Sequence, residues 1–292
     1  MTEILPTAIL GRTGLTVSRL GYGAGHRRPM SDKEMQSQLN SVLDAGITFV
    51  DTANDYGNSE EMIGRYLGHR RDEFTLATKC GCHPDGDHLW TRENLFRGLH
   101  ESLERLRTDY VDVMQLHNPT VAECEAGGLV EALQEMRTQG KVRWIGVSTT
   151  LPHLPTFLGW DAFDLFQIPY SALEREHEEW ISRSADAGVG TVIRGSAALG
   201  EPGAGLGDEE RWQKFQAAGL DDLMQAGESR TAFLLRFALT HPHTDTLIVG
   251  TTNPEHLREN VEAVLSGPLS SDVYSEVKRR LDGVGLRPLP AA

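Results

Sequence analysis

Short runs of β-branched and apolar residues alternate with longer stretches of helical period along almost the whole chain. Eight runs read as strands: 18–22, 48–52, 74–79, 111–117, 144–148, 165–169, 190–194 and 246–250. Most are nearly continuous in apolar residues, the pattern of parallel strands buried on both faces. The segments between them carry helix punctuation. Ser31 with Glu34 forms a capping-box signature, Met35, Leu39, Val42 and Leu43 follow on one face, and Gly46 closes the helix. Leu95, Leu99, Leu103 and Leu106 line a later helix, and Leu129, Leu133 and Met136 another that stops at Gly140. Asn253 before Pro254 is an N-cap with proline in the first helical position.

Eight strand–helix units predict one α/β domain over residues 1–292, a (β/α)8 TIM barrel. An open doubly wound sheet would send a glycine-rich turn straight into a helix; Gly21-Tyr22-Gly23-Ala24-Gly25 is the nearest candidate, and no such helix follows it. Leu10 to Val17 reads as a short N-terminal β-hairpin closing the barrel floor. The long gap after the seventh strand holds Gly200 to Gly207, read as a mobile loop able to close over a ligand, and then a helix around 231–239.

Composition narrows the classes. No apolar run approaches the roughly 18 residues of a membrane span, and Met1 to Gly11 lacks the basic start and apolar run of a secretory signal. Three cysteines do not make a disulfide framework, which points to a reducing, cytoplasmic setting. A formal charge of −14 without a basic cluster argues against a nucleic-acid surface. The expected partner is a small molecule, and the expected state a monomer or weak homo-oligomer.

Catalytic groups of such barrels stand just past the C-terminal ends of strands. Those ends offer Asp51, Lys79, His117, Ser148, Thr149, Gln167, Arg194, Gly250 and Thr251, with Tyr56 in the loop after Asp51. A phenol of reference pKa about 10 is a reluctant proton donor, and a nearby ammonium lowers that value. Asp51 would keep Lys79 charged and aimed at Tyr56, and His117 would orient a substrate oxygen. Neither a nucleophile nor a metal is called for.

The chain resembles the aldo-keto reductases. The resemblance rests on Asp51-Thr52-Ala53-Asn54-Asp55-Tyr56, Ala77-Thr78-Lys79, Val111-Asp112-Val113-Met114-Gln115-Leu116-His117, Gly146-Val147-Ser148, and Ile248-Val249-Gly250 leading to Glu259-Asn260, in order at barrel-strand spacing. It implies an NAD(P)(H)-dependent oxidoreductase reducing an aldehyde or ketone, with Tyr56 as general acid, Lys79 and Asp51 tuning it and His117 placing the carbonyl. It implies a dinucleotide across the rim near Gly23, Ala24 and Asp51, its carboxamide on Ser148, Thr149 and Gln167. Arg194, Gly195 and Ser196 would follow, and Gly250, Thr251, Thr252, Asn253, His256, Glu259 and Asn260 would hold the adenosine end, with phosphate near the helix N-terminus.

Three positions depart from the family pattern. Thr149 stands where Asn is usual. Arg194 replaces an aromatic that often stacks on the nicotinamide, and its planar guanidinium is a fitting substitute. His256 occupies the place of an Arg for the 2′-phosphate, with Thr251, Thr252 and Arg258 as compensation. NADP(H) is favoured and NAD(H) remains open. Arg194 is balanced between a cofactor contact and a loop salt bridge, and His256 between a phosphate ligand and a solvated helix residue.

Asn54, Asp55, Gly81 and Asn118 adjoin the tetrad and suggest a small polar or sugar-like carbonyl; the short tail, Leu286 to Ala292, agrees. Cys80-Gly81-Cys82-His83, with His88, is too tight for the usual cysteine spacing of a zinc site, so no metal is expected. Glu174 to Glu179, with His177, reads as a solvated helix face. Two other classes compete: a cofactor-sensing regulatory subunit with little turnover, which the complete tetrad disfavours, and a metal-dependent barrel hydrolase, which lacks a ligand cluster at the strand ends.

Overall fold

In the computed structural model, which describes residues 4–25, 30–82, 86–203 and 205–291, eight parallel strands close on themselves. They are β3 (Leu20–Gly23), β4 (Phe49–Asp51), β5 (Thr75–Cys80), β6 (Val111–His117), β7 (Val142–Ser148), β8 (Leu165–Pro169), β9 (Gly190–Arg194) and β10 (Thr246–Val249). Neighbours follow chain order, and β10 returns to pair with β3. Of the features noted above, residues 1–3, His83, Ala204 and Ala292 lie outside the described residues.

Helices fill the crossovers: α1 (Asp32–Asp44), α2 (Ser59–Leu67), α3 (Arg92–Leu106), α4 (Val121–Gly127), α5 (Leu129–Thr138), α6 (Leu154–Gly159) and α7 (Glu178–Asp186). After β9 come α8 (Glu209–Ala217) and α9 (Arg230–Thr240), and after β10 come α10 (Pro254–Leu265) and α11 (Ser271–Gly283). The caps are those the sequence predicts. Ser31 and Glu34 bond reciprocally at the start of α1, and the Asn253 side chain accepts from the Glu255 amide at the start of α10.

The floor hairpin is shifted from its expected place. Its strands are β1 (Thr7–Ile9) and β2 (Thr16–Ser18), paired antiparallel, while Leu10 to Leu15 make the turn. The apolar pair formed by Leu10, at the start of the turn, and Val17, in β2, is fully buried. It is buried as a plug, packed inside the barrel with Phe49, Ala77, Val113, Leu165 and Val192. The glycine-rich stretch 200–207 is tied rather than open: the Leu206 amide donates to the Leu199 carbonyl at 2.9 Å, and Glu201 pairs with Arg230 of α9 at 3.2 Å.

That apolar layer sets up the site. Side chains alternate across a strand with period two, so the next inward position lies two residues further along. From Phe49, Ala77, Val113, Leu165 and Val192 this step reaches Asp51, Lys79, Gln115, Gln167 and Arg194. The barrel interior thus changes from hydrocarbon to charge and amide within one pleat.

Candidate active site

Asp51 and Lys79 are 2% and 1% exposed, which leaves each as the other's necessary counter-charge. Lys79 Nζ donates to Asp51 Oδ2 at 2.6 Å and to the Thr52 carbonyl at 2.9 Å. The other carboxylate oxygen, Asp51 Oδ1, accepts from the side-chain amides of Gln115 and Gln167 at 2.9 Å each. Four strands, β4, β5, β6 and β8, therefore converge on one carboxylate. Gln115 is absent from the residues singled out in sequence, although the two-residue step from Val113 would find it.

Tyr56 stands over this pair. Its backbone amide bonds the Ala53 carbonyl, and its own carbonyl accepts from Ser59 at the start of α2. Its hydroxyl lies 3.5 Å from Lys79 Nζ, and that ammonium sits 4.8 Å from the ring centroid. His117 meets the tyrosine edge to face at 5.8 Å between centroids. The four residues predicted to meet at one mouth do so.

Electrostatics correct one expectation. Burial pushes the Tyr56 phenol above its ordinary value; Lys79 pulls it down, but Asp51 adds to the rise, and the net direction is upward. The ligand-free phenol therefore holds its proton firmly. Burial also works against the charge on Lys79, yet Asp51 and Tyr56 outweigh it and raise that pKa. His117 is drawn down to about 4, first by burial and then by Lys79, so its imidazole is neutral at physiological pH. Its Nδ1 lies 3.2 Å from Cys82 Sγ and 3.5 Å from Asp55 Oδ1. Burial and Asp55 push the Cys82 thiol up to about 12, so it keeps a proton to share with Nδ1.

The residues expected to hold a dinucleotide fall into two sets. At the ends of β6 to β9, the Ser148 hydroxyl donates to Asn118 Oδ1 at 2.9 Å, joining Asn118 to the expected carboxamide contacts rather than to a substrate pocket. Thr149 is buried beside them. Gln167 spends one amide hydrogen on Asp51. Arg194 Nε and Ser196 Oγ are buried without a hydrogen-bond partner among the described residues. Such orphaned donors fit a polar ligand, because an unmet buried polar atom is costly. Burial lowers the Arg194 pKa, while Glu174 works to hold it up.

The second set surrounds the start of α10. The ends of β3 and β10 press together so closely that a Cβ on Gly250 would lie 2.6 Å from the Gly23 carbonyl oxygen. Ala24 is buried, and its amide donates to the Asp51 carbonyl. The Thr251 carbonyl accepts from Tyr22 Oη at 3.0 Å and Gln38 Nε2 at 3.2 Å, fixing the loop. Thr252 is half-buried, whereas Asn253, His256 and Glu259 are exposed and Asn260 is buried. Gly195, half-buried, follows Arg194 in the left-handed region. Arg258 is gripped by Glu255 and Glu262, which limits it as a replacement for a phosphate-binding arginine.

Other expected positions are rearranged. The Asn54 amide lies against α3, where a Cβ on Gly98 would come within 3.1 Å of it, so Asn54 supports a helix rather than facing substrate. Gly81, with φ +107, makes room for Trp90, whose ring would overlap any added Cβ. Trp90 stacks on His88 at 5.2 Å, placing aromatics at a rim that the sequence reading left polar. Asp55 remains exposed beside His117. Cys80, the last residue of β5, donates to the Gln115 carbonyl. Cys82 instead gathers with Asp55, His88 and His117.

The segment Glu174 to Glu179 is largely buried, not solvated. Arg175, 1% exposed, bonds Glu178 and Asp282, and Lys278 pairs with Glu178 as well. His177 accepts from the Leu151 amide. This network ties α11 to α7, and the tail continues along it, with the Leu289 amide on the Glu176 carbonyl. No helix among the described residues is long and apolar enough to cross a membrane.

The sequence profile of the aldo/keto reductase family matches residues 19–282. An L-galactose dehydrogenase of Arabidopsis thaliana is 26% identical, the match covering 97% of this chain and 96% of that protein. An NADH-specific methylglyoxal reductase of Escherichia coli is 27% identical over 87% of this chain and 92% of its own. Among solved structures, the holo form of an aldo-keto reductase from Bacillus halodurans superposes with a TM-score of 0.85 at 26% identity, covering 94% of this chain and 96% of that one.

Proposed function

Since this chain belongs to the aldo/keto reductase family and is thus an oxidoreductase acting on carbonyls with a nicotinamide cofactor, we propose that it reduces a small polar aldehyde or ketone to the alcohol, with Tyr56 as proton donor. The observation that carries this reading is the Lys79 ammonium, bound to Asp51 at 2.6 Å and 3.5 Å from the Tyr56 hydroxyl. When bound, the nicotinamide supplies the hydride. The chain's own residues do the rest. Tyr56 retains its proton until a carbonyl oxygen gains negative charge, and then releases it to that oxygen. Lys79 stabilises the phenolate left behind, and Asp51 keeps Lys79 charged. The Cys82 thiol donates toward His117 Nδ1, so Nε2 carries the ring proton and donates to the substrate oxygen. Ser148, Asn118 and Gln167 would offer the carboxamide a hydroxyl and two amides, and Arg194, whose Nε is buried without a partner among the described residues, would meet the pyrophosphate.

NADP(H) is the proposed cofactor, with His256 on the exposed first turn of α10 as the residue that would meet the 2′-phosphate. NAD(H) is the second reading, favoured by the two glutamates that already occupy Arg258. His256→Arg is expected to raise the ratio of kcat/KM for NADPH over NADH, by an amount on the order of 3–10-fold for an exposed charge-assisted contact. An unaltered ratio places residue 256 away from the phosphate.

The exposed carboxylate of Asp55 at the mouth, and a tail that runs along α7, support a small hydroxylated or dicarbonyl substrate. One curated relative acts on L-galactose by its name and another on methylglyoxal. Following NADPH oxidation against a panel of carbonyls tests this. Hydroxyaldehydes and small dicarbonyls are expected to show kcat/KM at least about tenfold above flat hydrophobic ketones, the discrimination of one or two missed polar contacts. The reverse order rejects the substrate class while leaving the catalytic assignment standing.

A further inference from the structure

At the outer edge of the mouth, Asp55, Cys82, His88 and His117 present one carboxylate oxygen, one sulfur and two ring nitrogens that all lie within 4.8 Å of one another. Cys82 Sγ is 3.2 Å from His117 Nδ1 and 3.5 Å from His88 Nε2, and His117 Nδ1 is 3.5 Å from Asp55 Oδ1. Tetrahedral zinc, with bonds of about 2.0–2.3 Å, needs ligand atoms separated by about 3.3–3.8 Å. Three edges of that tetrahedron are already close to length.

We propose that these four residues form a site for Zn²⁺ at the barrel mouth, and that filling it suppresses turnover. The donor chemistry favours a borderline-soft ion: a thiolate and two imidazoles suit zinc and reject Mg²⁺ and Ca²⁺, which want oxygen. Thiolate and carboxylate together neutralise the dication, so Cys82 is buried without residual charge. The supporting shell is in place. Cys82 and His88 face each other across a two-residue bridge. The Asn94 side-chain amide holds the carbonyls of Gly81, Cys82 and Leu89, and Trp90 backs the His88 ring. Such outer contacts orient metal ligands. Asp55 and His88 are the exposed members, so the ion enters from solvent and these two swing inward to complete its shell.

Suppression rests on the assignment of His117 as the residue that receives the carbonyl. A metal drawing Asp55, His88 and His117 together crowds the approach to Tyr56. Binding itself needs no such assumption, which keeps the two separable.

The test uses the full chain, titrated calorimetrically with ZnCl₂ and by absorption with CoCl₂. One ion per chain is expected. Affinity should fall in His88→Ala and in Cys82→Ser by at least the roughly 10–100-fold lost when only an outer-shell partner is removed. The cobalt form should show a thiolate-to-metal band in the near ultraviolet, absent in Cys82→Ser. His88→Ala should keep its metal-free turnover and lose inhibition by zinc. Equal zinc affinity in wild type and both variants would mean binding by the acidic surface and overturns the site, as does a cobalt spectrum lacking the thiolate band. Intact binding with unchanged turnover overturns the suppression alone. Intact binding in a chain that reduces no carbonyl in the metal-free state defeats the functional reading and spares the site.

Discussion

Tyr56→Phe is expected to slow carbonyl reduction by roughly 10²–10⁴-fold, the usual contribution of a positioned general acid. Cofactor affinity should stay near the wild-type value. The phenyl ring still fits beside Lys79 and His117, and only the hydroxyl is lost. Single-turnover rates report the chemical step, and fluorescence titration with the dinucleotide reports binding. Turnover equal to wild type would remove Tyr56 from the chemistry. The raised pKa of the phenol gives this prediction its direction: a group that holds its proton when ligand-free is set up to donate it.

Breaking the pair beneath it should cost both stability and rate. Asp51→Asn leaves the Lys79 ammonium buried without a counter-charge, a loss of roughly 3–5 kcal/mol for a buried pair. The denaturant midpoint should fall at constant slope. Removing both charges in Asp51→Asn with Lys79→Met should recover much of that stability, because neither charge is then stranded. Activity should not recover, since nothing remains to stabilise the phenolate. A double variant as unstable as the single one would mean that packing, rather than the charge pair, dominates at this layer.

The eight strands and the helix caps were legible because each is a local pattern: an apolar run, a serine three residues before a glutamate, an asparagine before a proline. The meeting of these four side chains was legible because strand ends are where such barrels carry reactive groups: Asp51, Lys79 and His117 stand there, and Tyr56 in the loop that follows Asp51. What escaped depends on contacts between distant segments. Gln115 is one polar residue in an apolar strand until the register sets it beside Gln167 on Asp51. Gly81 looks like open space until Trp90 fills it. Arg175 and Glu178 read as surface charge because nothing local announces Asp282 and Lys278 of α11. The metal reading weighed Cys80, Cys82 and His88, whereas the cluster leaves out Cys80 and joins Cys82 and His88 to Asp55 and His117 from two other segments.

Asp51, Lys79, Gln115 and Gln167 all project from the barrel staves and Tyr56 from the connection between β4 and α2, whereas Trp90 belongs to the separate connection between β5 and α3. Reaction and selectivity are accordingly housed in separable parts. Grafting a different stretch between Cys82 and α3 should retarget the enzyme while leaving Tyr56, Lys79 and the Cys82–His117 contact in place, so descendants of such a scaffold can diversify in diet while inheriting one unchanged engine.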